Sequence, residues 1–84
     1  MYELIFSNQS KKFIRDLELK RKNQIKKVLN SLKRDPFCFP YKKLSGMDAD
    51  YRIRKGSFRI SYSIQKEELV IQIVKIGKRE NFYD

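Results

Sequence analysis

The chain has 84 residues, with 20 lysines and arginines against 10 carboxylates for a net charge of +10, and 40% of its side chains are hydrophobic. That balance excludes a disordered chain, predicts one basic globular domain spanning residues 1–84, and points to anionic partners. The absence of histidine removes the usual general base near neutral pH and the commonest metal ligand, and the scattered carboxylates offer no two-metal nuclease site.

Met1 to Phe6 lacks the basic start and the apolar stretch of a signal peptide. No apolar run approaches the ~20 residues of a membrane-spanning helix, so no membrane partner is expected. The single cysteine, Cys38, permits no internal disulfide and suits the cytosol. It is expected as a small, semi-buried loop residue between Phe37 and Phe39, with no histidine to activate a thiolate.

Tyr2, Leu4 and Phe6 alternate with Glu3 and Ile5, which predicts a first strand over 2–6. Ser7 offers a helix N-cap, and Phe13, Ile14 and Leu17 supply one apolar stripe for a helix over about 8–19. Ile25, Val28, Leu29 and Leu32 match the spacing of an amphipathic helix, predicted over 21–34 and stopped by Asp35-Pro36. Its basic residues fall mainly on the outer side, where a solvated face and a nucleic-acid surface are both open readings. Residues 35–48, with two prolines and a glycine, read as an ordered loop.

Apolar residues alternate from Tyr51 to Ile64 on both sides of Gly56, the pattern of a hairpin with strands at 50–55 and 57–64. A two-residue loop at Lys55-Gly56 sets Arg54 opposite Ser57, Ile53 opposite Phe58 and Arg52 opposite Arg59. Like charges across a strand pair destabilise it, so that face is expected to hold something anionic. After a polar turn at 65–68, residues 69–76 form a strand apolar on both faces, as expected for one covered on two sides or contacted by a partner. Continuing the register pairs Ile64 with Leu69, Tyr62 with Ile71 and Ile60 with Ile73. The segment from Gly77 then emerges beside Arg54, so Arg52, Arg54, Arg59 and Arg79 converge, with Tyr83 in reach.

Three features resemble the RelE branch of the RelE/ParE superfamily of prokaryotic toxins: Lys43-Leu44-Ser45-Gly46, the arginine hairpin, and Gly77-Lys78-Arg79-Glu80 followed by tyrosine. The similarity spans nearly the whole chain, but its specificity lies in residues 43–83; the helical half matches only in pattern. It implies an α+β fold, in which an N-terminal strand and a two-helix hairpin pack on a mainly antiparallel, roughly four-stranded twisted sheet. It also implies an endoribonuclease that cleaves mRNA in the ribosomal A site and so inhibits translation. The partners implied are the ribosome, mRNA and a cognate antitoxin that wraps the toxin, with operator DNA bound through the antitoxin. No metal or cofactor is implied, and the expected location is the cytoplasm.

By position, the resemblance assigns catalytic roles to Arg52, Arg54, Arg59, Arg79 and Tyr83, and RNA binding to Lys42, Lys43, Lys55 and Lys78. Guanidinium groups suit the charge that develops on a phosphorane, because their planar donors match phosphate oxygens. The family pattern often has lysine where this chain has Arg52 and Arg54, and arginine cannot give up its proton. Deprotonation of the 2′-hydroxyl then falls to Lys55, Lys78, Tyr83, ribosomal RNA or solvent; Tyr83 can alternatively stack on an extruded base. Two other readings stay open: a ParE-type toxin that poisons DNA gyrase without cleaving RNA, and a non-catalytic RNA- or ribosome-binding module.

Overall fold

The computed structural model describes residues 1–46 and 48–78. Along the chain these form β1 (Glu3–Phe6), α1 (Asn8–Arg15), α2 (Leu19–Arg34), β2 (Tyr41–Lys43), β3 (Tyr51–Lys55), β4 (Phe58–Gln65) and β5 (Val70–Lys78). The strands make one sheet in the order β1-β5-β4-β3-β2, with β1 parallel to β5 and every other neighbour antiparallel. The fold is α+β as expected, but with five strands instead of four. The extra strand is β2, three exposed residues inside the segment expected to be loop. Its Tyr-Lys-Lys sequence has no apolar alternation, and pairing with β3 is what makes it a strand.

Ser7 caps α1, its Oγ accepting from the Ser10 backbone N–H at 3.1 Å. The helix stops at Arg15, short of the expected residue 19, because the chain reverses there. Leu17 N–H bonds Ile14 C=O at 3.2 Å, and Glu18, with extended backbone, opens α2 two residues earlier than expected. At the far end the Asp35 carboxylate accepts from Phe37 N–H at 2.9 Å, just where Pro36 ends the helix. Cys38 in the following turn is exposed, not semi-buried. Its thiol pKa is pushed up, mainly by desolvation and then by the Asp35 carboxylate.

Both helices lie against one face of the sheet. Ile25, Leu29 and Leu32 of α2 bury themselves against Ile53, Phe58, Ile60, Tyr62, Ile71, Ile73 and Ile76. Full burial of such a side chain contributes roughly 1.5–3 kcal/mol. Tyr62 is at 0% exposure, and its hydroxyl donates to Pro36 C=O at 2.6 Å. Burial pushes its pKa well above the ordinary tyrosine value. Tyr51 packs at the margin of the same core, as its place in the alternation requires.

Strand registers differ from expectation. The hairpin loop is Gly56-Ser57, so Arg54 faces Arg59, Arg52 faces Ser61 and Ile53 faces Ile60; the expected Arg52–Arg59 and Ile53–Phe58 pairs do not form. Gly56 has φ +61°, which puts glycine at the first central position of the turn, where a II′-type hairpin requires it. The β4–β5 turn occupies residues 66–69, with Leu69 at φ +55°, so Ile64 meets Ile71, Tyr62 meets Ile73 and Ile60 meets Ile76. A two-residue shift leaves the faces unchanged. Between Ser61 and Tyr62, however, the register slips by one, because Lys75 pairs with Ser61 and Ile73 with Tyr62. Val74 is therefore a bulge residue. The long apolar run of β5 thus reflects a change of phase as well as burial.

Candidate functional site

Residues paired across a sheet share a face, so the registers define what stands opposite the helices. One row runs Lys42, Arg52, Ser61, Lys75 across β2, β3, β4 and β5. The next runs Arg54, Arg59, Gly77. Five cations and no carboxylate occupy these two rows, with strands about 4.8 Å apart. Lys42, Arg54 and Lys75 are exposed and Arg59 is half-buried with its Nε shielded from solvent. Arg52 is 6% exposed. Burying a guanidinium costs several kcal/mol before compensation, so Arg52 is a built-in part of the sheet and not a solvated surface charge.

The other expected residues separate from this set. Lys43 pairs with Tyr51 and Lys55 with Phe58, and Phe58 in turn pairs with Lys78, which puts all three lysines on the helix side. Lys55 Nζ sits 5.4 Å from the Phe39 ring centroid, a cation–π contact. Lys78 lines a cavity of about 660 Å³ beside the α1–α2 turn, together with Lys12, Asp16, Glu18 and Arg21. Arg21 also fastens the hairpin tip, its Nη1 donating to Ser57 Oγ at 2.6 Å. Of the four lysines expected to bind RNA, Lys42 alone shares the arginines' face. Arg79 and Tyr83 lie outside the described residues.

Lys75 was missed from the sequence, as were the polar side chains that set its position. Ser7 Oγ donates to Val74 C=O at 2.7 Å and Ser10 Oγ to Ile73 C=O at 3.3 Å, so the start of α1 grips the bulge itself. Gln9 continues the ladder beyond β1, its Nε2 donating to Ile76 C=O at 2.8 Å and its Oε1 accepting from Ile76 N–H at 3.0 Å. A signal for the bulge was present in the sequence. Gln72 and Lys75 are three apart in an otherwise apolar strand, and period-2 alternation puts both on the polar face only if one residue between them is extra.

Among the described residues no three carboxylates or cysteines gather as a metal site, and no helix is long and apolar enough to cross a membrane. Residues 4–84 match the profile of a family described as the ParE-like toxin of type II bacterial toxin–antitoxin systems. The chain belongs to this toxin family. Within it, the similarity is to RelE-type members. A Methanocaldococcus jannaschii protein named as toxin RelE1 is 35% identical over 75 residues, which cover 86% of this chain and 83% of that protein. A chain of the intact Escherichia coli RelBE toxin–antitoxin complex superposes with TM-score 0.76 at 30% identity, covering 93% of this chain and 96% of that one. The archaeal RelE–RelB complex from Pyrococcus horikoshii gives TM-score 0.78 at 27% identity, covering 96% and 98%. This chain is thus a RelE-type toxin of a type II system, and the cationic rows lie on the sheet face opposite its helices.

Proposed function

We propose that this RelE-type toxin is an endoribonuclease that cleaves mRNA in the ribosomal A site, with residues 1–84 as one toxin domain working in the cytoplasm. The observation that carries the reading is the Arg54–Arg59 pair, set beside Arg52 and Lys42 in rows that hold no carboxylate among the described residues. In the cleavage step the 2′-oxygen attacks phosphorus, negative charge peaks on the phosphorane, and the bond to the 5′-oxygen breaks as that oxygen takes up a proton from solvent. Arg54 and Arg59 stand where guanidinium donors stabilise that charge, and loss of one such group typically lowers the rate by roughly 10²–10³. Arg52 holds the face's shape and potential from beneath. Arg79 and Tyr83 complete the proposed catalytic set, with Tyr83 or ribosomal RNA taking the 2′-hydroxyl proton. Among the described residues the face holds no acid–base pair, which suits an enzyme whose substrate is aligned by the ribosome.

The cognate partner is an antitoxin, as in the RelBE and RelE–RelB complexes to which the fold is similar. A groove of about 530 Å³ between α1 and α2 has an apolar floor of Ile14, Ile25 and Leu29 and a rim that includes Arg15, Lys22 and Lys26. An acidic amphipathic segment satisfies both. Operator DNA is reached through that antitoxin. The ParE-like description of the family favours a second reading, gyrase poisoning without RNA cleavage. Primer extension on ribosome-bound message with wild type, Arg59→Ala and Arg79→Ala tests the first, and a gyrase supercoiling assay tests the second. Wild-type cuts that both substitutions abolish support the nuclease; cuts that survive both overturn the site, and inhibited supercoiling with intact message selects the gyrase reading.

A further inference from the structure

Lys75 belongs to no expected site, yet the fold goes to some length to place it. Without the bulge at Val74, alternation from Ile71 and Ile73 carries Lys75 into the core and Ile76 out to the open face. With it, Ile76 is fully buried and Lys75 is exposed in the row of Ser61, Arg52 and Lys42. The same slip sets Gly77 directly opposite Arg59. Lys75 and Arg59 thereby become diagonal neighbours at roughly 7–8 Å, within reach of long side chains, and Gly77 contributes no side chain between them. The start of α1 holds this arrangement through Ser7, Gln9 and Ser10.

We propose that Lys75 is a further substrate-contacting residue of the toxin, its ammonium bound to the RNA phosphate backbone beside the Arg54–Arg59 pair. The inference rests on the reading of the open face as the RNA site. The shift that buries Ile76 also aligns Lys75 with four other cations, an arrangement that suits the phosphates of a polyanion. Lysine serves here as a point charge on a flexible stem and tolerates variation in backbone position, whereas the paired arginines impose planar geometry.

The test is binding to a short, uncleavable 2′-O-methyl single-stranded RNA, followed by anisotropy across a salt series. Each phosphate contact on a single strand contributes about 0.7 to the slope of log affinity against log salt. Lys75→Met is expected to lower the slope by about that amount and Lys75→Arg to restore it. Lys66→Met, in the β4–β5 turn, is expected to leave the slope unchanged. A Lys75→Met slope equal to wild type, an equal loss in Lys66→Met, or no wild-type binding at low salt overturns the assignment. The readout does not depend on cleavage. If wild type binds with the full slope, loses it in Lys75→Met, and yet leaves ribosome-bound message uncut, the nuclease reading fails while the Lys75 contact stands.

Discussion

Arg54 and Arg59 face each other directly across the β3–β4 hairpin. Directly opposed like charges are unfavourable in a sheet, by an amount on the order of 0.2–1 kcal/mol. Nothing in the turn demands them, since Gly56 alone fixes the geometry of the loop. The pair concentrates positive charge at one point of the sheet.

Replacing one member tests that arrangement. Arg54→Thr removes the repulsion and puts a residue suited to strands in its place. It is expected to stabilise the fold by up to about 1 kcal/mol while lowering cleavage of ribosome-bound message by roughly 10²–10³. Urea denaturation read beside primer extension checks both. A variant that is less stable and equally active would contradict the role given to the pair.

Gln9 stands in for a strand. Its amide gives Ile76 both a donor and an acceptor, where β1 has already ended. Gln9→Ala is expected to cost about 1 kcal/mol, in keeping with partly exposed hydrogen bonds. The sharper signature is local: amide exchange at Ile76 accelerates far more than at Ile60, its cross-strand neighbour. Equal protection of Ile76 in both proteins would show that another group caps β5.

The alternation around Gly56 made the hairpin, its buried face and its cationic face legible, because period-2 patterning is insensitive to an even slip in register. The partner of each arginine was not legible. Pairing depends on which residue of Lys55-Gly56-Ser57 takes positive φ, and alternation does not encode that. The helices were legible from Phe13, Ile14, Ile25 and Leu29, but the break at 16–18 was not, since Leu17 continues the stripe of α1 across it. β2 left no pattern because its identity comes from β3. For Lys75 the spacing from Gln72 carried a signal of the bulge, but the hydrogen bonds that hold it come from Ser7 and Ser10, more than sixty positions away in the chain.

Leu69 holds φ +55° at the end of the β4–β5 turn and is 49% exposed. The left-handed region costs a β-carbon-bearing residue roughly 1–2 kcal/mol, and asparagine tolerates it better. Leu69→Asn is expected to raise stability by about 1 kcal/mol, less a small loss of apolar burial, and so to raise Tm by roughly 4–8 °C for a domain of this size. Calorimetry checks the sign; a lowered Tm would mean that Leu69 contributes more by packing than its backbone costs.

Tyr62 links the core to alkaline stability. Its buried hydroxyl donates to Pro36 C=O, and burial raises its pKa in the folded state. In the unfolded chain a tyrosine ionises near about 10. Because the folded value is the higher one, the protonated fold keeps its full stability below about pH 10 and loses it progressively above, as the unfolded state gains by ionising. Tyr62→Phe removes that proton from both states. It is expected to be less stable at pH 7 by about 1–3 kcal/mol, since the Pro36 carbonyl loses its donor. The variant's urea midpoint should then fall less steeply than the wild type's between pH 9 and 11. Parallel pH profiles would show that Tyr62 ionises in the fold as readily as in water, against the burial that sets its pKa.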